Sequence, residues 1–115
     1  MRYTFGKQQR LKSSKKIEEL FLNGERATAS PLRIVYLKVP ENAVTQVAFS
    51  VPKKNFKKAV ERNRIKRRMR EAYRLQKPLL ANNPHSFALL FLYISRKEED
   101  YARIEQAMRS LLKKL

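Results

Sequence analysis

The chain has no cysteine and no tryptophan, two glycines, one histidine and ten acidic residues among 115. Each shortage excludes something. Without cysteine there is no disulfide framework, no thiolate nucleophile and no thiolate metal ligand, which fits a reducing cytoplasm. Gly6 and Gly24 alone cannot build a glycine-rich loop around a phosphate. His85 stands between Pro84 and Ser86 with no metal-ligand spacing to a partner, so it reads as a loop histidine without a catalytic role. No pair of carboxylates recurs at a spacing suited to acid–base work. Glu98, Glu99 and Asp100 read as favourable charge at a helix start. The longest apolar run, residues 87–94, is too short to cross a bilayer. The first seven residues, Met1-Arg2-Tyr3-Thr4-Phe5-Gly6-Lys7, lack the apolar stretch of a signal peptide. Taken alone, the polypeptide does not read as a catalyst.

What is there instead is cationic. Lys and Arg number 27, giving a formal net charge of +17. Such a charge strains a compact state unless a partner or counterions screen it. An apolar fraction of 43% still supports a core, and the length suits one domain. The charge is concentrated. Residues 53–74 hold eleven Lys/Arg against Glu61 and Glu71. Within Arg62-Asn63-Arg64-Ile65-Lys66-Arg67-Arg68-Met69-Arg70-Glu71-Ala72-Tyr73-Arg74, six of the seven cations are arginine. The planar guanidinium fork binds phosphate through two parallel hydrogen bonds. A face kept only for solubility mixes both signs. A single-sign helix points to a polyanion, and nucleic acid is the one that fits.

The pattern predicts an α+β chain of order α-β-β-α-β-α, a single-domain α-β sandwich with room for one further short strand. Residues 1–12 form a basic arm. Ser13 or Ser14 caps a first helix whose Ile17, Leu20 and Phe21 make one apolar stripe, and Gly24 suits a left-handed stop. Residues 32–39 and 46–51 are β-rich, are joined by the turn Pro40-Glu41-Asn42-Ala43, and read as a hairpin. The basic helix spans residues 59–76. Ile65, Met69, Ala72, Tyr73 and Gln76 share its buried face, Lys66, Arg67, Arg70 and Arg74 lie opposite, Arg62 sits at the border, and Val60 falls on the basic side. Pro78 biases Lys77 out of helix and ends the element. Asn82-Asn83-Pro84 is a turn. Residues 86–94 are apolar without alternation, as in a strand covered on both faces. A last helix carries the core stripe Tyr101, Ile104, Met108, Leu111, Leu112 and Leu115. Phe21 and Tyr36 read either as core or as stacking platforms for single-stranded bases. Tyr36 shares a strand face with Ile34 and Lys38, but the sequence does not say which face meets the helices.

Ala59-Val60-Glu61-Arg62-Asn63-Arg64-Ile65-Lys66-Arg67, with Arg70-Glu71 after it, resembles the signature of the bacterial ribonuclease P protein subunit. Ser50-Val51-Pro52-Lys53-Lys54 resembles the strand end and lysine pair before that helix. Arg10-Leu11-Lys12, Leu20-Phe21 and Gly24 resemble the family's first helix. The match runs from about residue 10 to residue 101. The resemblance implies a fold like the second domain of a small-subunit ribosomal protein, with a left-handed β-α-β crossover. It implies an accessory subunit of a tRNA 5′-maturation endoribonuclease, in which the RNA subunit and its Mg²⁺ hydrolyse the phosphodiester and the protein binds no metal. It assigns RNA-subunit binding to Arg62, Asn63, Arg64, Lys66, Arg67 and Arg70. It assigns the 5′ leader of precursor tRNA to Phe21, Tyr36, Ser50 and Lys53, with Ile17 at the edge. Ile17 departs from the family, where many members carry a second aromatic, and is therefore a weaker contact. The implied partners are the RNA subunit and precursor tRNA in the cytoplasm. Weak self-association is left open. Composition alone also suits a stand-alone RNA-binding module, such as a ribosomal or RNA-chaperone protein. A DNA-binding helix is the third class, but no helix-turn-helix partner or dimer seam accompanies it.

Overall fold

The computed structural model describes residues 10–40, 43–80 and 83–115. Most of the basic arm and part of the turns at 40–43 and 82–84 lie outside these residues. The elements are α1 (Ser14–Asn23), β1 (Glu25–Ala29), β2 (Leu32–Val39), β3 (Gln46–Ser50), α2 (Ala59–Gln76), a 3₁₀ turn (Lys77–Leu80), β4 (Ser86–Tyr93) and α3 (Tyr101–Leu112). One four-stranded sheet has the order β1-β2-β4-β3.

β4 occupies an inner position because its residues are apolar on both faces. Only a strand covered above and below escapes the cost of exposing one of them. Phe87, Leu89, Phe91 and Tyr93 point into the larger core, and Ala88 and Leu90 into a smaller one. α2 and α3 pack on the first face, and α1 crosses the second. The β3–α2–β4 unit is parallel.

The expected hairpin of residues 32–39 with 46–51 does not form. β2 pairs antiparallel with β1 on one side and with β4 on the other, so β4 separates β2 from β3. β1 is the further short strand. Its residues Glu25, Arg26 and Thr28 are exposed, and it is a strand because β2 offers it a ladder, not because it is hydrophobic.

Helix ends differ from expectation twice. Ser13 caps α1, its hydroxyl accepting from Lys16 N at 3.3 Å. Gly24, however, has φ −72° and is extended, not left-handed. Glycine is required there for space: a Cβ would lie 2.5 Å from Leu20 O and 2.8 Å from Val35 Cγ1. At the end of α2, Lys77 remains helical (φ −60°, ψ −22°) and the chain tightens into the 3₁₀ turn. Pro78 enters that turn near its start, where its missing N–H costs least.

α2 is fixed by aromatic packing. Phe49 stacks on Phe91 at 5.7 Å, and Tyr73 meets both rings at 6.0 Å. Burial pushes the Tyr73 phenol up to about 12, so it stays neutral at physiological pH. Phe56 packs edge-on against Tyr93 at 5.7 Å and seats the chain entering α2. Ile104, Ala107, Met108, Leu111 and Leu112 of α3 are buried beside it. Apart from tyrosine hydroxyl groups, no polar or charged side chain is buried among the described residues.

Gly24→Ala is expected to destabilise the fold by about 1–3 kcal/mol, because the added methyl must displace backbone or Val35. Urea unfolding checks this: an unchanged midpoint would show that the α1–β1 corner relaxes freely.

Candidate nucleic-acid interface

Helix α2 carries its charge on two unequal flanks. Its buried line is Ile65, Met69, Ala72 and Tyr73. At 100° per residue, Arg64 and Arg68 fall on one side of that line and Lys66 and Arg70 on the other, with Asn63 and Arg67 near the crest. The first flank faces the segment before α3. There Glu98 takes Arg64 in a two-point fork, 2.5 Å from Nε and 2.7 Å from Nη2. Arg68 Nη1 lies 2.8 Å from the same carboxylate and donates to Glu99 O at 3.0 Å. Hydrogen bonding from Arg64, with the charges of both arginines, holds the Glu98 carboxyl below its ordinary range. Tyr93 anchors this acidic segment: its hydroxyl donates to Lys97 O at 2.5 Å and accepts from Glu99 N at 2.8 Å. Asp100 serves as the N-cap of α3, accepting from Arg103 N at 3.0 Å. Glu98 is therefore more than helix-start charge.

The second flank lacks such compensation. Arg67 and Arg70 are exposed, Lys66 is half-buried, and none of the three makes an ion pair among the described residues. Asn63 is exposed beside them. Arg74 pairs with Glu71. Arg62 is turned to the chain itself and donates to Phe56 O at 2.7 Å and Lys57 O at 2.9 Å. Val60 is exposed, as its position on the basic side requires. Of the six residues assigned to RNA-subunit contact, Asn63, Lys66, Arg67 and Arg70 form one open strip. Arg64, with a side chain 43% exposed, keeps an outer face beyond its pair, and Arg62 supports the preceding turn.

A groove lies on the opposite face of the sheet. α1 crosses it with Leu20 buried and Ile17 half-buried over Val35, Ala88 and Leu90. Lys16 lies toward Val39, Gln46 and Ala88. Phe21 is on the other flank of α1 from Lys16, and on the sheet face that α1 crosses the strand register sets Arg33, Leu92 and Ser50 side by side. Phe21 is 46% exposed, and Arg26 donates to its carbonyl oxygen at 2.8 Å. Arg33 is exposed, and Leu92 and Ser50 are half-buried. Lys53, also exposed, sits in the turn just after β3, where Asn55 N donates to Pro52 O at 3.3 Å. This side of the molecule thus offers one exposed aromatic ring, an aliphatic floor and several exposed cations.

Tyr36 is not part of it. It points to the face covered by α2 and α3, packs edge-on against Phe87 at 6.3 Å and bonds Glu25, while burial raises its phenol pKa. The β2 residue under α1 is Val35. Strand alternation alone placed Tyr36 with Ile34; only the sheet's neighbours decide which face receives α1. Sequence reasoning also missed Arg33 and Leu92, which strand pairing sets opposite each other, and Arg26, which it sets opposite Val35. His85 is an exposed loop residue whose N–H donates to Asn83 Oδ1 at 2.9 Å.

Comparison with known proteins agrees with this architecture. The family model described as Ribonuclease P matches residues 5–115. The chain is 38% identical over 117 residues to the ribonuclease P protein component of Porphyromonas gingivalis, covering 95% of this chain and 85% of that protein. It is 34% identical over 114 residues to the Chlorobaculum tepidum component, covering 86% and 74%. The solved RNase P protein of Thermotoga maritima superposes with TM-score 0.78 at 21% identity over 92% of this chain and 96% of that one. That of Staphylococcus aureus gives 0.77 at 21% over 91% and 93%. The structural likeness establishes the fold. With a family match over nearly its whole length and relatives well above 30% identity, the chain belongs to the ribonuclease P protein family.

Proposed function

We propose that this chain is the accessory subunit that assembles with a catalytic RNA and holds the 5′ leader of precursor tRNA while the RNA removes it. The observation that carries this reading is the placement of two distinct surfaces on opposite faces of one sheet. The open strip Asn63, Lys66, Arg67 and Arg70 suits the phosphates of a folded RNA. The groove of Phe21, Ser50, Arg33 and Lys53 suits a single strand. Occupying one does not block the other.

The two surfaces call for different recognition. Leader sequences differ between precursors, so the groove must bind backbone and base faces. An aromatic ring and cations achieve that without reading base edges. The strip needs only rigidity and uncompensated charge, which α2 has through its aromatic packing. In this reading Mg²⁺ is held by the RNA and supplies the charge stabilisation for phosphodiester hydrolysis. The protein, in this reading, contributes position and countercharge; among the described residues no three His, Cys, Asp or Glu side chains come together. The setting proposed is the cytoplasm; no helix among the described residues is long and apolar enough to cross a membrane.

The deciding experiment is reconstitution with the cognate RNA subunit at low Mg²⁺. Precursor cleavage is expected to rise when the protein is added, and no stimulation would defeat the proposal. Phe21→Ala should weaken binding of precursor tRNA by about 1–3 kcal/mol while leaving mature tRNA nearly unaffected. Tyr36→Phe should change neither; equal losses of both tRNAs with Phe21→Ala would remove the groove. Arg67→Ala should weaken assembly with the RNA subunit and flatten its salt dependence by roughly one phosphate contact. An unaltered slope in a filter-binding series would take Arg67 off the interface.

A further inference from the structure

The strip on α2 and the groove under α1 are joined at the outer edge of β3 by a cleft of about 330 Å³ lined by Arg10, Leu11, Lys12, Val47, Ala48, Phe49 and Arg70. We propose that this cleft is a binding site for an RNA phosphodiester, carried over the sheet edge between the two surfaces. The inference rests on the RNA-binding reading above and deepens it.

The cleft is built, not incidental. Residues 10–12 are held against β3: Leu11 N donates to Val47 O at 2.9 Å, and Arg10 bridges in parallel to Val47. Leu11 is buried, so the segment is pinned by its apolar side chain while Lys12 is exposed. The opposite wall is the uncompensated flank of α2, which contributes Arg70. Val47, Ala48 and Phe49 form the floor, and Phe49 is held by its stack on Phe91. Lys12 and Arg70, cations from two separate elements, therefore face one space, with Arg10, which has interactions of its own, beside them.

No carboxylate lines that space. Like charges set around a common cleft repel, and an anion between them reverses the sign of each interaction. The Glu98 clamp sharpens the point, because it compensates the far flank of α2 and leaves this one charged. The apolar floor beside the cations favours a sugar–phosphate unit over a bare inorganic anion. Ala48 lies on the α1 face in the same strand as Ser50, and Arg70 lies one turn from Arg67. A strand leaving the groove meets the cleft before it reaches α2.

The chemistry is shared by two sources, a single strand such as the leader and a backbone segment of the RNA subunit. The test therefore has two arms. Lys12→Gln/Arg70→Gln is compared with Lys113→Gln/Lys114→Gln, a remote pair that removes the same charge. One arm follows anisotropy of a labelled short oligouridylate with the protein alone, and the other follows assembly with the RNA subunit, each across a salt series. The cleft pair is expected to flatten the log–log salt slope by about 1.4, two contacts at about 0.7 each, with the remote pair unchanged. Flattening in the oligouridylate arm assigns the cleft to a single strand, and flattening only in the assembly arm assigns it to the RNA subunit. If the cleft pair matches the remote pair in both arms, the site is overturned. If the cleft pair fails to fold, the wild-type chain decides: oligouridylate must shift the amide resonances of Ala48, Phe49 and Arg70, and shifts confined elsewhere overturn the proposal. Failure of the parent reading is separate, since it appears as absence of stimulated cleavage in the wild-type reconstitution.

Discussion

β4 has no polar face, and the rest of the molecule is arranged around that fact. A strand from Ser86 to Tyr93 with apolar side chains in both directions requires helices above and below the sheet and flanking strands on both sides. α1 supplies one cover, and α2 with α3 the other. The same demand displaces β3 from the neighbour it has in sequence, β2, to the far side of β4. It also leaves β3 at the sheet's edge, bridged by residues 10–12 and close to the flank of α2 whose cations make no ion pair among the described residues.

The second organising constraint is electrostatic. A net charge of +17 on 115 residues does not spread evenly. Glu98 gathers two arginines, Glu71 one, and two backbone carbonyl groups hold Arg62. These contacts involve partly exposed groups and add modestly to stability. Their larger effect is to decide where charge remains. Tyr93, a core residue, sets the position of the acidic segment and so takes part in shaping a surface it does not reach.

Much of the fold was legible in the chain. The 3.6-residue beat of Ile65, Met69, Ala72 and Tyr73 located the buried side of α2, and the unbroken apolar run located β4. The pair Ser13-Ser14 announced the start of α1, and the structure picks Ser13 as its cap. What escaped depends on pairing across distance. Nothing within Glu25-Arg26-Ala27-Thr28-Ala29 marks a strand, because its stability comes from β2. The face occupied by Tyr36 follows from which helix covers which side. Glu98 lies 34 residues from Arg64, and no local pattern connects them. Gly24 was recognised as special, but the reason is a close approach between α1 and β2, which only packing reveals.

Arg62 illustrates how a signature residue can serve two masters. Its guanidinium closes over the carbonyl oxygens of Phe56 and Lys57, at the end of a turn that displays Lys53, Lys54, Lys57 and Lys58 to solvent. It acts as a hinge-pin for four charges beyond its own. An affinity measurement on an Arg62 variant would record the unseating of that whole lysine turn together with any contact the arginine itself makes. The motif Arg62-Asn63-Arg64 is accordingly part scaffold and part surface, divided between adjacent residues of a single helical turn.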